Sequence, residues 1–151
     1  VDVTIVRRSA GPNTLGPDQW RDKLGDFDWI ILAVPATAET DGMIGKDELA
    51  AMKPTARIVN IARGSVIDQD ALVAALKSRQ IAEAFLDVTT PEPLPADNPL
   101  WDLPNAHVTM HLSGRAQDKM FVRAAQRFLE NLARYRAGDA LTPLVNLDLG
   151  Y

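Results

Sequence analysis

Arg63 stands between the run Arg57 to Ile61 and Gly64. A guanidinium there can clamp a carboxylate through two parallel hydrogen bonds, which a lysine cannot do. It can equally be a surface arginine that closes a turn. His111 follows a second short run and precedes Ser113 and Gly114. An imidazole titrates near neutrality, so it can both give and take a proton. A loop histidine without a role is the plain alternative. Glu92 lies between the two, in a stretch from Thr89 to Pro104 that holds five prolines. A carboxylate beside an imidazole orients the ring and favours its charged form; Glu92 can also be simply solvated. Asp87 falls at the end of the apolar run Ile81 to Val88. A carboxylate there needs a partner, and a bound ligand is one option. Arg7 and Arg8 follow the first aliphatic run. In a dinucleotide-binding unit the end of the second strand normally carries an acid for the ribose 2′-hydroxyl. Two cations fit a 2′-phosphate instead, and a solvated basic turn explains them as well.

These residues need elements to place them. Val1 to Val6 is β-branched and aliphatic, the composition of a strand. Pro17 to Leu24 is expected to form a short helix stopped by Gly25. Trp29 to Val34 is continuously apolar and ends at Pro35, as a parallel strand covered on both faces does. Lys46 to Met52 is a short helix, broken at Lys53-Pro54. Arg57 to Ile61 is the next strand. Asp68 is placed to cap a helix from Gln69 to Ser78, with Leu72, Ala75 and Leu76 on one face. Ile81 to Val88 is a strand, Thr89 to Pro104 a loop, and His107 to Met110 a last short strand. Asp118 to Ala137 is the longest helix, with Phe121, Ala125, Phe128, Leu129 and Leu132 along one side and Gly138 as its C-cap. The tail from Leu141 to Tyr151 is irregular. Strands alternating with helices predict an α/β domain with a mostly parallel sheet, whose ligands bind beyond the carboxyl ends of the strands.

Composition narrows the class. The 151 residues suffice for one core. Apolar residues make up 46% and charged residues 24%, as in globular proteins. No apolar run is long enough to span a bilayer. There is no cysteine, which excludes disulfides and thiolate metal sites. Two histidines, His107 and His111, cannot alone build a three-histidine metal site, and no metal is expected. A net charge of −4 gives no general attraction to nucleic acid. The composition points to a soluble cytoplasmic protein.

The motifs resemble one family when taken in order. Thr37-Ala38-Glu39-Thr40 and Gly42-Met43-Ile44-Gly45 come first. Met52-Lys53-Pro54 leads to Val59-Asn60-Ile61-Ala62-Arg63-Gly64, then Asp68 and Ala71-Leu72. Leu86-Asp87-Val88, Pro91-Glu92-Pro93-Leu94, Asn98-Pro99-Leu100-Trp101, Pro104-Asn105 and His111 follow. Asn131-Leu132 and Leu149-Gly150-Tyr151 close the series. Together they resemble the D-isomer-specific 2-hydroxyacid dehydrogenases, notably the glyoxylate and hydroxypyruvate reductase branch. The resemblance covers essentially the whole chain. It implies that Arg63 binds the substrate carboxylate and polarises the carbonyl. It makes His111 the acid–base group, Glu92 its partner, and Asp87 the holder of the nicotinamide carboxamide. Arg7, Arg8, Val34, Pro35, Ile61, Ala62, Asp87, Ser113 and Gly114 are expected to face NAD or NADP, the two arginines favouring NADP. The substrate is then a small 2-oxo or 2-hydroxy acid, and the assembly a homodimer. Two departures bear on the pocket's shape: Met110 replaces the proline of Thr-Pro-His, and Thr89 replaces the aromatic residue after Asp-Val.

The family's Gly-x-Gly-x-x-Gly loop, which cradles the pyrophosphate at a helix N-terminus, is not in this sequence. The chain is expected to begin at the second strand of the dinucleotide fold, as part of a longer protein. Residues 1–114 are then a partial Rossmann-type doubly wound sheet without its first strand. Residues 115–151 are a helix and tail directed at a substrate domain. In the order 3-2-1-4-5-6 the first strand is central. Without it the neighbouring strands are expected to expose edges and apolar faces, and these residues alone are expected to be inactive. A dinucleotide-sensing binding module or corepressor on the same fold is the alternative function; retention of Arg63, Glu92 and His111 argues against it.

Overall fold

The computed structural model describes residues 1–8, 11–114 and 119–148. They form two compact units, Val1–Met110 and His111–Tyr151. In the first unit, β1 (Ile5–Val6) pairs in parallel with β2 (Thr14–Leu15). A second sheet contains β3 (Trp29–Leu32), β4 (Arg57–Asn60), β5 (Glu83–Leu86) and β6 (Ala106–Val108), in that order and all parallel. Helix α1 (Lys46–Ala51) links β3 to β4, and α2 (Gln69–Lys77) links β4 to β5. This is a mixed α/β fold of the Rossmann type.

Alternation along the strands gives the sheet two unlike faces. Ile30 and Leu32 of β3, Ile58 and Asn60 of β4, Ala84 and Leu86 of β5 point inward, and pack in one core with Leu49 of α1 and Leu72, Ala75 and Leu76 of α2. Burying each leucine contributes about 1.5–3 kcal/mol. The outer face carries Trp29, Ile31, Val59, Phe85 and His107. Ile31, Val59, Phe85 and His107 lie on one rung of the ladder. Phe85 stacks on His107 at 4.5 Å and faces Trp29 at 6.0 Å between ring centroids. Trp29 and Ile31 remain 51% and 63% exposed, so within the first unit α1 and α2 cover one face. The strand expected over Trp29–Val34 with both faces covered runs only from Trp29 to Leu32, with one face covered.

The break between the two sheets is what the order 3-2-1-4-5-6 becomes without strand one. β1 pairs only with β2, and β3 only with β4, among the described residues. Ile5 and Val6 on β1 are exposed, like Trp29 and Ile31 on β3. The expected bare edges and apolar faces are therefore present.

Several local expectations need correction. The strand at Val1–Val6 shrinks to Ile5–Val6, because only this stretch finds a partner in Thr14–Leu15. β2 carries only two residues, too few for a periodic signal. Pro17–Leu24 is not an α-helix: a 3-10 turn runs from Arg21 to Asp26, and Gly25 lies inside it rather than stopping it. The loop after Thr89 contains another 3-10 turn, Pro99–Asp102, capped by the Asn98 side chain. The last strand starts one residue earlier and ends two residues earlier, at Ala106–Val108, with Asn105 anchoring its start through hydrogen bonds to the Leu76 and Ala82 carbonyls. The Asp68 cap is present, accepting from the amides of Asp70 and Ala71.

In the second unit, α3 (Met120–Ala137) ends at Gly138 in the left-handed region, at φ 75°. The expected start at Asp118 and the end of the tail, Leu149 to Tyr151, lie outside the described residues. No residue of α3 is buried, and Phe121, Phe128 and Leu129 are exposed. The Asn131 side chain holds the tail at Thr142 by two hydrogen bonds.

Two positions yield tests. Arg79 ends α2 at φ 58°, its amide bonded to the Leu76 carbonyl. An L-residue with a side chain is disfavoured there by roughly 1–2 kcal/mol, and glycine returns part of the gain as unfolded-state entropy. Arg79→Gly is expected to stabilise the protein by about 0.5–1 kcal/mol, read as a higher urea midpoint. At Gly64, a Cβ would run into the backbone carbonyl of Thr89 and the hydroxyl of Thr90. Gly64→Ala is expected to cost roughly 1–3 kcal/mol, read as a lower urea midpoint.

Candidate active site

The four parallel strands end on one side, and the loops that follow β3, β4, β5 and β6 carry most of the expected site residues. The turn after β4 is built around Asn60. Its side chain is 1% exposed. It donates from Nδ2 to the Arg63 carbonyl at 2.9 Å and accepts from the Ala62 amide at 3.0 Å. Both ends of a buried amide are thus satisfied by the turn's own backbone, which fixes the exit direction of Arg63. Ile61 is exposed, Ala62 buried and Arg63 exposed. One guanidinium nitrogen of Arg63 donates to the Ala62 carbonyl at 2.7 Å.

Gly64 brings the next loop against this turn, because a hydrogen in place of Cβ lets the Thr89 carbonyl lie against its Cα. Gln69, in the first turn of α2, clamps the same loop. Its amide donates to the Thr90 carbonyl at 2.7 Å and accepts from the Thr90 N–H at 3.0 Å. Thr89 is buried; its amide donates to Glu92 Oε1 at 3.0 Å, and its hydroxyl to the Pro91 carbonyl. A residue that departs from the family pattern therefore folds the loop that presents Glu92, and Glu92 itself is exposed.

Asp87 is 8% exposed at the end of β5. Its amide donates to the Asn60 carbonyl at 3.0 Å, and the Thr109 hydroxyl donates to its Oδ1. The carboxylate is held from the residue that follows β6, and this partner stands two residues before His111 in sequence. Arg63, Asp87 and Glu92 thus come from adjoining loops of the first unit. His111 opens the second unit. It is exposed, and its backbone sits at φ 54°, a region that histidine enters more readily than most residues. Ser113 and Gly114 follow in a turn and are exposed.

Of the other expected cofactor contacts, Val34 is half-buried against the core. Pro35 is exposed, and its carbonyl accepts from the Thr40 hydroxyl at 2.7 Å. Arg7 follows β1, with its guanidinium lying over Gly11 and in no ion pair among the described residues. Arg8 is paired with Glu39 at 2.6 Å. Among the described residues no group of histidine and acidic side chains is arranged for a metal ion, and no helix is long and apolar enough to cross a membrane.

Sequence reasoning missed Asn60, Gln69 and Thr109. Asn60 had a readable signal: an amide inside the aliphatic strand Arg57–Ile61 must find partners if buried. Gln69 and Thr109 had none, since their partners are distant in sequence.

The parts of a dinucleotide call for different groups. A buried carboxylate at a strand end, Asp87, suits an amide donor. The arginine pair suits a 2′-phosphate. A glycine cradle for the pyrophosphate is not in this sequence. The residues present thus fit the two ends of a dinucleotide.

Known proteins share this fold. Residues 2–113 match the model for the D-isomer specific 2-hydroxyacid dehydrogenase, NAD binding domain. A glyoxylate/hydroxypyruvate reductase B of Pectobacterium atrosepticum is 41% identical over 123 residues, covering 82% of this chain and 38% of that protein. The chain therefore spans about two fifths of the length of this curated relative. A D-isomer specific 2-hydroxyacid dehydrogenase from Xanthobacter autotrophicus, solved with NADPH and MES, superimposes with a TM-score of 0.88 at 34% identity, over 97% of this chain and 61% of that one. An NADPH-dependent glyoxylate/hydroxypyruvate reductase from Sinorhizobium meliloti, solved with NADP and sulfate, gives 0.83 at 26% identity, over 97% of this chain and 48% of that one. With its parallel sheet, its strand-end loops and its match over residues 2–113, the chain belongs to the D-isomer-specific 2-hydroxyacid dehydrogenase family, within the NAD-binding domain.

Proposed function

We propose that the chain is the cofactor-binding and catalytic part of an NAD(P)-dependent reductase that interconverts small 2-oxo acids and D-2-hydroxy acids. Glyoxylate and hydroxypyruvate are the substrates named for its relatives. One observation carries the reading: the Arg63 turn and the Glu92 loop are locked together through Gly64 and Gln69, beside the buried carboxylate of Asp87.

In this reading Arg63 grips the substrate carboxylate with two N–H groups and draws charge onto the carbonyl oxygen. His111 donates a proton to that oxygen during reduction and takes it back during oxidation. Glu92 serves as the carboxylate that orients the imidazole and favours its charged form. Asp87 accepts from the carboxamide of the cofactor. Val34, Pro35, Ile61 and Ala62 offer backbone and small apolar surface along the strand ends, and Ser113 and Gly114 do the same after His111. When bound, the reduced nicotinamide supplies the hydride received by the C2 carbon. Residues 1–114 form the dinucleotide-binding part, and 115–151 the helix and tail that meet a substrate domain. A cytoplasmic homodimer completes the reading by analogy with the family.

The cofactor preference we propose is NADP. Arg7 and Arg8 stand where an acid would favour NAD, and two similar structures hold NADPH or NADP.

The assays use the enzyme as its own gene encodes it. Arg63→Lys keeps the charge and loses the fork. It is expected to lower kcat/KM for glyoxylate by about a hundredfold, two lost charge-assisted hydrogen bonds at roughly 1.5 kcal/mol each. His111→Asn keeps a residue suited to the left-handed backbone and removes the proton donor. It is expected to lower kcat by a factor of about 100 to 10,000, followed as NADPH oxidation. A wild-type enzyme that turns over neither glyoxylate nor hydroxypyruvate with either cofactor would sink the reading. For cofactor choice, Arg7→Ala with Arg8→Ala is expected to raise the KM for NADPH roughly tenfold or more, a loss of about 1.4 kcal/mol, and to leave that for NADH in place. An unchanged KM for NADPH would overturn the NADP preference.

A further inference from the structure

The ion pair between Arg8 and Glu39 is short, at 2.6 Å, yet both side chains are well exposed, 43% and 73%. An exposed pair of this kind contributes little to stability. The turn that carries Glu39 does not need the carboxylate either. Thr40 builds that turn: its hydroxyl donates to the Pro35 carbonyl and accepts from the Thr37 amide at 2.9 Å, while its own amide donates to the Thr37 carbonyl at 3.1 Å. Glu39 reaches away from the turn to the guanidinium that follows β1. An acid from the loop after β3 thus reaches this arginine pair. Arg7 by contrast lies over Gly11.

We propose that Glu39 sets the cofactor preference of the site, as an internal competitor for Arg8 against the 2′-phosphate of NADPH. The proposal rests on the reading that Arg7 and Arg8 receive that phosphate. A phosphate monoester brings nearly two negative charges and three acceptor oxygens, so it displaces a carboxylate from a guanidinium. The displaced carboxylate stays close by, since its backbone is fixed by Thr37 and Thr40. An anion on Arg8 must therefore be bound against a neighbouring negative charge. NADH carries no group at that position and meets no such opposition. Glu39 thereby narrows the advantage of NADPH over NADH and keeps the site open to both. In a solvent-exposed site this repulsion is worth about a three- to tenfold change in affinity, and it weakens as salt rises.

The test uses calorimetry on the enzyme as its own gene encodes it, at low ionic strength. The probes are adenosine 2′,5′-bisphosphate and adenosine 5′-diphosphate, with NADPH and NADH titrated by fluorescence. Glu39→Gln is expected to lower the Kd of the 2′-phosphorylated probe and of NADPH by about three- to tenfold. The Kd of adenosine 5′-diphosphate and of NADH should stay in place, and the gain should shrink in high salt. Glu39→Ala should behave alike, which separates the lost charge from any effect of the amide. An unchanged Kd for the bisphosphate, an equal gain for both probes, or a weaker bisphosphate complex would each overturn the proposal; the last would make Glu39 a positioning residue for Arg8. The double variant Arg7→Ala with Arg8→Ala tests the reading beneath. If it leaves the preference for the bisphosphate intact, the 2′-phosphate assignment itself fails. If it abolishes that preference while Glu39→Gln is silent, only the role of Glu39 fails.

Discussion

The geometry at the carboxyl ends of β4 and β5 depends on a steric vacancy at residue 64. The Thr89 carbonyl occupies the volume that any side chain larger than hydrogen would claim. Two loops that leave neighbouring strands can therefore touch backbone to backbone. Everything presented from those loops inherits its spacing from that contact. Asn60 sets the angle of one loop, since a fully buried amide with both ends satisfied cannot rotate without losing two hydrogen bonds. Gln69 sets the height of the other, gripping Thr90 by donor and acceptor at once. The loops that present Arg63 and Glu92 are supported by uncharged amides and a glycine, while each charged side chain also bonds its own loop's backbone.

The division of the chain into supports and presented groups explains what was legible in the sequence. Elements of four or more residues with a period could be read: the strands β3, β4 and β5, α2 with its Asp68 cap, and α3 with Gly138 behind it. The site residues were inferred from their position after strands, and their proposed roles from the ordered motifs. β2 was not readable, because two residues carry no alternation. The turn Arg21–Asp26 was misread, because apolar spacing does not distinguish a 3-10 turn from an α-helix over so short a span. The partners of Gln69 and Thr109 lie 21 and 22 residues away, and nothing local marks such contacts. The reason for glycine at 64 is likewise carried by Thr89, not by its own neighbours.

Charge is distributed with the same economy. The core of the first unit holds few polar groups, and among the described residues no buried side-chain nitrogen or oxygen lacks a partner. Arg57 pairs with Glu83 and lies over the Trp29 ring on the outer face of the sheet. Lys53 ties the end of α1 to Asp28 and the Asp26 carbonyl. Glu48 ties α1 to Arg21. Burial works against the Glu48 charge, but the hydrogen bonds from Arg21 and from the Gly45 amide outweigh it and hold the carboxyl below its usual range.

The two separate sheets have a consequence for how this stretch of protein behaves by itself. Among the described residues β1 and β3 each offer one edge without a strand beside it, and both edges are flanked by exposed aliphatic or aromatic side chains. Such edges do not distinguish strongly between donors. A strand supplied by the same polypeptide would join the sheets and close both edges. A strand supplied in trans, by a separately made piece of protein, would serve the same backbone hydrogen bonds, so the break is a natural point for complementation between two halves. A second copy is also a donor, though a wrong one. Between these outcomes the deciding quantity is local concentration: a tethered strand arrives first, and an untethered chain meets its own kind.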